Sequence, residues 1–194
     1  MTVAFVLGNG KSRMRVDPQQ ELIGRGTIYG CNAIYRDFMP QVLISTDKPI
    51  SDQIQIEGIP GRVKHWTRRP LPDSKSLKIE KPYYGMSSGP VAISRAALDG
   101  HTHIYFIGFD LGSPDGLLNN VYGGTEFYKA NTDKATYAGN WSYHINQIAK
   151  DFRKSIFFRV MGPESTPVKF ENKWKNIEEI SMEQFKAKIN KLSE

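Results

Sequence analysis

A glycine-rich turn follows the first apolar run of the chain and could bind a phosphate. Val3 to Leu7 is continuously apolar, and Gly8-Asn9-Gly10-Lys11-Ser12 follows it directly. Glycines in such a turn let backbone N–H groups approach an anion closely, and a helix beginning there adds partial positive charge. Neither standard motif is complete, because Arg13 replaces the third glycine of the dinucleotide fingerprint and Phe5 replaces the leading glycine of a Walker loop. A plain tight turn is the alternative.

Polar residues also follow other apolar runs. Asn32, Asp47 and Asp110 each stand just past the end of a predicted strand, as Gly8 does. In an open parallel sheet, ligands bind at the carboxyl ends of the strands, where the strand order reverses. We therefore predict that these residues contribute to one nucleotide-binding edge. For Asn32 and Asp47 the alternative is that they merely cap the helices that follow.

A serine-glycine pair opens the first well-defined helical run. Ser87-Ser88-Gly89-Pro90 precedes Val91 to Leu98, with Ser88 as a predicted N-cap and Pro90 in the first turn. Hydroxyl and amide groups at Ser88 and Gly89 could hold a second part of a nucleotide, or they could simply cap the helix. Both interpretations stay open.

Tyrosines and one histidine are the candidates for catalysis. Tyr122, Tyr128 and Tyr137 lie in a long segment, 111–140, that shows no clean periodicity. Phenol hydroxyls there can donate hydrogen bonds to a phosphate, although packing is the alternative for any one of them. His144 lies on the helix predicted next and is the candidate base, with a structural histidine as the alternative.

Apolar runs that alternate with short helical pieces predict an α/β chain built from βαβ units. The segment from Arg68 to Pro82 is Pro-rich and basic and is predicted to be an extended loop, and Ile156 to Val160 is predicted to be the last strand. We expect residues 1–163 to form the main domain. Residues 164–194 are expected to be an extension whose helix begins at the Ser181-x-x-Gln184 capping box and packs on or beside that domain.

Charge and cysteine content limit the possible partners. The formal net charge is +6, and residues 62–81 contain seven Lys or Arg against two Asp or Glu, a local net charge of +5. Such a segment favours an anionic partner or acceptor, although a solvated basic loop is the alternative. Cys31 is the only cysteine, so an intrachain disulfide is impossible and there is no Cys-rich zinc site. No carboxylate cluster accompanies His101 and His103, so no metal site is predicted at the histidines.

The chain start gives a further expectation about location. Met1 to Leu7 lacks the charged lead and the cleavage region of a signal peptide, and no segment approaches the roughly 20 apolar residues needed to span a bilayer. We therefore expect a cytoplasmic protein without a membrane span, in a bacterium or an infected host cell. A bacterial or phage gene would suit its size.

Four motifs in order resemble the bacterial lipooligosaccharide sialyltransferases. They are the Leu7–Ser12 turn, Gly30-Cys31-Asn32-Ala33-Ile34-Tyr35, Ser87-Ser88-Gly89, and Ile104–Leu111 with its Gly-Phe-Asp-Leu end. The first and last also resemble archaeal-type 6-hydroxymethylpterin diphosphokinases. The resemblance spans about residues 3–163. It implies a single Rossmann-like α/β domain with a mostly parallel central sheet flanked by helices.

The resemblance also implies an activity and roles for residues. It implies metal-independent transfer from a nucleotide sugar, CMP-linked in that family, with no further cofactor. Asn9, Ser12 and Asn32 would contact the nucleotide together with Ser88 and Gly89, and Tyr122 would hold the departing phosphate. The family has a histidine after a glycine at the start of the late helix, where this chain has Gly139-Asn140-Trp141. His144, about one helical turn further on, is the nearest candidate.

Several functions remain open from sequence. The first is a nucleotide-sugar-dependent glycosyltransferase with an unknown acceptor. The second is a Mg²⁺-dependent diphosphate or nucleotidyl transferase, with Asp47 and Asp110 as metal ligands. The third is a non-catalytic nucleotide-binding module that lacks the family histidine. A weaker fourth is nucleic-acid binding, in which Trp66, Tyr83 and Tyr84 beside the basic segment would stack on bases.

Overall fold

The fold is one parallel β-sheet between two layers of helices. The computed structural model describes residues 1–135, 139–171 and 173–192. Its strands are β1 Val3–Leu7, β2 Thr27–Cys31, β3 Val42–Ser45, β4 Lys64–Thr67, β5 Leu77–Lys78, β6 His103–Ile107, β7 Ile156–Met161 and β8 Ile177–Ser181. Its α-helices are α1 Lys48–Ile56, α2 Ser88–Leu98, α3 Gly139–Asp151 and α4 Met182–Asn190. Short 3₁₀ turns occur at Lys11–Arg15, Asn32–Arg36, Ile59–Gly61 and Tyr83–Gly85, and a π turn at Pro18–Leu22.

β1 lies in the middle of the sheet, where the order in which the chain adds strands changes direction. All the ladders between these strands are parallel, in the order β5-β4-β3-β2-β1-β6-β7-β8. The chain builds outward from β1 to β5, crosses back, and continues from β6 to β8 on the other side. This confirms the predicted single Rossmann-like α/β domain, and the switch point lies between β1 and β6.

Both faces of the sheet are covered, which explains the uninterrupted apolar strands. In β1, Phe5 and Leu7 pack with α1 and α4, while Ala4 and Val6 pack with α2 and α3. A strand that is buried on both faces has no need for polar residues at alternate positions. No helix within the described ranges is long and apolar enough to cross a membrane.

Two edge strands were not predicted. β5 lies within the segment that the sequence predicts as an extended loop, and β8 follows β7, so the prediction that Ile156 to Val160 is the last strand is wrong. β8 reads Ile-Glu-Glu-Ile-Ser and β5 only Leu-Lys, so neither presents an apolar run. Edge strands commonly carry charges that discourage pairing with other chains. The helix predicted in the extension is α4, whose Phe185 and Ile189 are buried in the core beside the sheet.

A buried arginine joins β7 to the loop after β6. The Arg159 side chain is fully buried, and its guanidinium donates to the backbone oxygens of Phe109 (2.9 Å), Asp110 (2.9 Å) and Thr166 (2.8 Å). It also pairs with Glu179 of β8 at 2.7 Å. Donors in a rigid fork suit such a multiple contact. Arg159 therefore holds the switch-point loop to the last two strands.

We predict that Arg159→Met lowers the free energy of unfolding by about 3–5 kcal/mol, because it removes the ion-pair partner of Glu179 and one hydrogen-bond donor from each of three backbone carbonyl oxygens. Urea unfolding followed by circular dichroism measures the change. The matched control is Arg62→Met, an exposed arginine, for which we expect a change within about 0.5 kcal/mol. Equal effects of the two substitutions would contradict the structural role of Arg159.

A buried histidine joins β3, β4 and the segment before β5. His65 is fully buried, with Nε2 2.6 Å from Ser45 Oγ and Nδ1 2.8 Å from Ser76 Oγ. Burial lowers the pKa of His65 to about 4. Since the unfolded chain binds this proton with a pKa of about 6.5, the neutral side chain contributes fully to stability above pH 6.5.

We predict that the stability of the protein falls as the pH drops from 6.5 towards 4, and that His65→Gln reduces the slope in this window. The His65 contribution amounts to at most about 1.4 kcal/mol per pH unit. Urea unfolding at several pH values compares the two slopes, and the difference isolates His65 from the carboxylates. Identical slopes in both proteins would contradict a neutral buried His65.

Candidate functional site

A pocket opens at the carboxyl edge of the sheet, at the switch point. The sheet-edge pocket, as we call it, has a volume of about 370 Å³ and is lined by the loops after β1, β2, β3 and β6, the start of α2, the long loop 111–135 and α3. Ligand sites typically occupy about 300–1,000 Å³. The structure brings these predicted nucleotide-binding residues to its wall: Gly8, Asn9, Gly10, Asn32, Asp47, Ser88, Gly89 and Asp110.

The two glycines of the first turn allow the loops after β1 and β6 to cross closely. The Gly8 amide donates to the Ile107 carbonyl at 2.8 Å, and the Gly10 amide donates to the Gly108 carbonyl at 2.9 Å. A Cβ at Gly8 would lie 2.7 Å from the Gly108 oxygen, and one at Gly10 would lie 2.5 Å from Asp110 Oδ2. Contact between loops therefore explains these glycines without any phosphate.

Asp110 is a buried connector between three loops. Its Oδ2 accepts from the Ser12 amide at 3.0 Å, and its Oδ1 accepts from the Ser165 hydroxyl at 2.8 Å. The residue is 3% exposed although it lines the pocket. Its two oxygens are thus committed to holding the β1 loop and the segment after β7.

The Ser88 hydroxyl joins the ends of β2 and β3 to the start of α2. It donates to Asn32 Oδ1 at 2.9 Å, accepts from the Thr46 amide at 2.9 Å and lies 2.9 Å from Thr46 Oγ1. Asn32 adopts a left-handed backbone conformation (φ 51°), which asparagine tolerates better than most residues. Asn32 is therefore a partner of Ser88 as well as a wall of the pocket.

The start of α2 is left without a side-chain cap. The N-cap of α2 is Ser87, one residue before the predicted Ser88, and its side chain makes no capping hydrogen bond. Pro90 has no N–H, so the backbone donors of the first turn are the amides of Ser88 and Gly89. Both residues line the sheet-edge pocket. An anion at this position would meet two amides and the positive end of the helix.

An aromatic wall stands beside Gly89, and the sequence did not predict it. Trp141 of α3 and Phe109 line the pocket with ring centroids 5.6 Å apart. A Cβ at Gly89 would lie 2.5 Å from Trp141 Cζ3 and 2.8 Å from Phe109 Cε1. The glycine before Pro90 is thus required by the indole of a helix that lies about 50 residues later in the chain.

The long loop 111–135 contributes pocket residues that no sequence motif marks. Leu118, Asn119 and Asn120 line the pocket, and the loop is held by backbone bonds such as Val121 N–H to Asn9 O at 2.8 Å. Asn119 Oδ1 also accepts from the Lys11 amide at 2.8 Å. These residues were missed because no periodic pattern distinguishes a folded loop from a surface connection.

Tyr128 is the tyrosine that the structure places at the pocket. Its hydroxyl accepts from the Ala33 amide at 3.3 Å, and burial raises its pKa to about 12. Among the described residues, no acceptor takes its hydroxyl proton, so the phenol retains a donor. Tyr137 lies outside the described residues.

Tyr122, a predicted catalytic residue, lies behind the pocket wall. Its hydroxyl donates to Asp37 Oδ2 at 2.7 Å and lies 3.2 Å from both terminal nitrogens of Arg13. Burial raises the pKa of Tyr122, Arg13 opposes that shift, and the bond to Asp37 adds to it. Arg13 also donates to Asn9 Oδ1 at 3.3 Å, so this cluster orients the asparagine of the first turn.

The structure does not bring three other predicted residues to the pocket lining. His144 is half-buried on α3, and burial lowers its pKa. The Lys11 side chain is exposed; the hydrogen bond from Ser113 lowers the pKa of Asp115, and the Lys11 charge adds a smaller contribution. The Ser12 hydroxyl is buried and makes no hydrogen bond to described residues. Their predicted roles stay predictions.

A smaller second cavity adjoins the sheet-edge pocket at Asp47. The second cavity, of about 260 Å³, is lined by residues 46–49, 51–52 and 67–69. Arg68 donates to the carbonyl oxygens of Tyr84 and Met86, each at 2.7 Å, and forms no ion pair with a carboxylate of the described residues. The basic segment 62–81 is therefore partly folded against the body of the protein.

Other groups bear on metal and nucleic-acid binding. In the described parts of the chain, no three His, Cys, Asp or Glu side chains are grouped so that they could hold a metal ion. Tyr83 is buried and donates to Asp151 at 2.9 Å, which removes it from base stacking. Trp66 packs under Arg95, with the guanidinium carbon 4.6 Å from its ring centroid.

Comparison with known proteins identified no related family. No family model matches the chain, and no curated protein or solved structure matches it either. The chemistry of the pocket and the motifs of the sequence therefore carry the functional argument.

We predict that Gly89→Ala lowers the thermal stability of the protein, because the added methyl group must displace Trp141 or Phe109. Overpacking of this kind costs about 1–3 kcal/mol. Differential scanning calorimetry compares it with Gly61→Ala, since a Cβ at Gly61 meets nothing within 4 Å. Unchanged stability of Gly89→Ala would show that Trp141 and Phe109 can move away from the added methyl group at no cost in stability.

Proposed function

We propose that the chain is a glycosyltransferase of the sialyltransferase-like type, which binds a nucleotide sugar in the sheet-edge pocket. The observation that carries the proposal is the uncapped start of α2 at a switch-point pocket. Backbone amides at such a position favour phosphate, and switch-point pockets are common nucleotide sites. The order of motifs that resembles the sialyltransferases supports a CMP-linked donor.

Particular groups of the pocket suit the parts of such a donor. The amides of Ser88 and Gly89 and the hydroxyl of Tyr128 are donors for the phosphate, in the role that the resemblance assigned to Tyr122. Hydrogen bonds to the departing phosphate would stabilise the charge that develops there. Trp141 offers an aromatic face on which a base or sugar ring can stack.

The acceptor would approach from the side of the basic segment. Arg68 and Arg69 line the second cavity, and neither forms an ion pair with the described carboxylates. Unneutralised arginines favour a partner that carries phosphate or carboxylate groups. We therefore propose an anionic acceptor.

The second candidate function is a non-catalytic nucleotide-binding module. The observation that favours it is the location of Tyr122 and His144, since neither lines the sheet-edge pocket. It shares the nucleotide site with the first proposal and differs in predicting no turnover. A Mg²⁺-dependent transferase remains a weaker proposal, because both oxygens of Asp110 already accept protein hydrogen bonds.

We predict that a pyrimidine nucleotide, CMP in particular, stabilises the protein against heat. The measurement is thermal shift with CMP, UMP, AMP, GMP and their sugar conjugates, followed by calorimetric titration of the best ligand. Ligand at 100 times its Kd stabilises the folded state by about 2.7 kcal/mol. A flat response to every member would overturn both the transferase and the binding-module proposals.

The variant Asn120→Asp tests the location of the site. Asn120 lines the pocket, and its Oδ1 accepts from the Tyr122 amide at 2.9 Å, a bond that aspartate preserves. The added negative charge should weaken nucleotide binding about 10-fold by repelling the phosphate. Gln19→Glu, an exposed change of the same charge, is the control and should bind like wild type. Equal affinities for all three proteins would place the nucleotide elsewhere.

A further inference from the structure

We propose that Asp47 is the general base of this transferase and that the acceptor hydroxyl reaches it from the second cavity. The inference rests on the proposed glycosyltransferase function and names a residue for a role that the resemblance gave to a histidine. Four observations carry it. The Asp47 carboxylate makes no hydrogen bond to the described residues, and Asp47 lies between two cavities. The other acidic side chains nearby already have protein partners, and arginines line the second cavity.

The Asp47 carboxylate does not cap the helix whose N-cap position it occupies. Asp47 is the N-cap residue of α1, yet its side chain makes no capping hydrogen bond. Asp17 at the start of the π turn behaves in the usual way, with Oδ1 accepting from the Gln19 amide at 2.9 Å and the Gln20 amide at 3.2 Å. Asp47 is exposed, and its carboxylate, unlike its backbone oxygen, accepts no hydrogen bond from the described residues. Its carboxylate therefore remains available to a ligand.

Asp47 stands where two substrates would meet. It lines both the sheet-edge pocket and the second cavity. A donor in the first and an acceptor in the second would place the reacting atoms beside the same carboxylate. A base must lie within hydrogen-bond reach of the proton it takes, and Asp47 satisfies that condition for a hydroxyl at the junction of the two cavities.

The other described carboxylates near the junction are engaged, and the described histidines are absent from the lining. Asp110 is buried and holds Ser12 and Ser165 through its two oxygens. Asp52 forms an ion pair with Lys48 one turn into α1. No described histidine lines either cavity. Among the described residues, Asp47 is thus the one carboxylate at the junction that is free to accept a proton.

The second cavity also provides charge for the acceptor. With Lys48 and Asp52 paired to each other, Arg68 and Arg69 remain as the positive groups of its lining and Asp47 as the negative one. The arginines would hold an anionic group of the acceptor while its hydroxyl faces Asp47. The arginines that bind the anionic group of the acceptor are thus separate from the carboxylate that faces its reacting hydroxyl.

The proposed step balances without a further reactant. The acceptor oxygen attacks the anomeric carbon of the donor sugar and forms the new glycosidic bond. Its proton passes to the Asp47 carboxylate. The bond from the anomeric carbon to the phosphate oxygen breaks, and its electron pair leaves with the nucleotide, whose charge the α2 amides and Tyr128 would stabilise.

The experiment compares nucleotide binding with turnover in Asp47→Asn. Asparagine has nearly the same shape and is an equally good N-cap residue, so the fold should survive. With CMP-sialic acid as the donor probe and water as the acceptor, we expect CMP affinity to be retained or to rise by up to about 10-fold, because a negative charge leaves the pocket, and CMP release to slow by about 100-fold or more. Glu57→Gln, an exposed acid at the far end of α1, is the control and should release CMP like wild type.

Chemical rescue separates a base from a structural role. In Asp47→Ala, added formate should restore part of the CMP release by acting as an external base, whereas chloride at the same concentration should not. A structural defect would not respond to formate. Rescue together with retained CMP binding supports the proposal.

The remaining outcomes are distinct. No nucleotide binding by wild type overturns the proposed function itself. CMP binding by wild type without release from CMP-sialic acid overturns the assignment of a base and favours the binding module. Release that survives Asp47→Asn but vanishes in His144→Ala assigns the base to the histidine and overturns the role of Asp47 alone.

Discussion

The buried guanidinium of Arg159 holds the loop after β6, and the walls of the sheet-edge pocket attach to that loop. Arg159 binds the carbonyl oxygens of Phe109 and Asp110 and pairs with Glu179. With the backbone so placed, the Phe109 ring supports Trp141, and the Asp110 carboxylate binds the Ser12 amide and Ser165. Burying a cation costs free energy unless its N–H donors are hydrogen-bonded. Any geometry that breaks these bonds is therefore strongly disfavoured.

The side chains that the motifs emphasise serve mainly to build the pocket. Ser88 fastens Asn32 and Thr46, Asp110 fastens two loops, and Arg13 fastens Asn9. The polar atoms of these side chains find their hydrogen-bond partners within the protein, which leaves them few hydrogen bonds to offer a ligand. What remains open to a ligand is the backbone at the start of α2, the Tyr128 hydroxyl, the Trp141 face and the Asp47 carboxylate. The functional proposals depend on these groups.

In two cases a neighbour of the predicted residue, and not the residue itself, lines the pocket. The resemblance implies that Tyr122 holds the phosphate, yet its hydroxyl binds Arg13 and Asp37, and Tyr128 lines the pocket instead. His144 and Trp141 lie on the same helix, and Trp141 is the one that lines the pocket. Which member of such a pair faces a cavity depends on the rotation of its element, and short motifs do not specify that rotation.

Local pattern determined the strands other than β5 and β8, the α/β class and the edge at which the polar residues gather. Apolar runs such as Val3 to Leu7 are buried on both faces, and parallel strands end at a common edge, so Gly8, Asn32, Asp47 and Asp110 had to lie near one another. Only the tertiary structure decided that β5 and β8 join the sheet, that Gly89 faces Trp141 and that Asp47 stays uncapped. Those outcomes depend on contacts between distant segments, and a sequence pattern records what each segment prefers by itself.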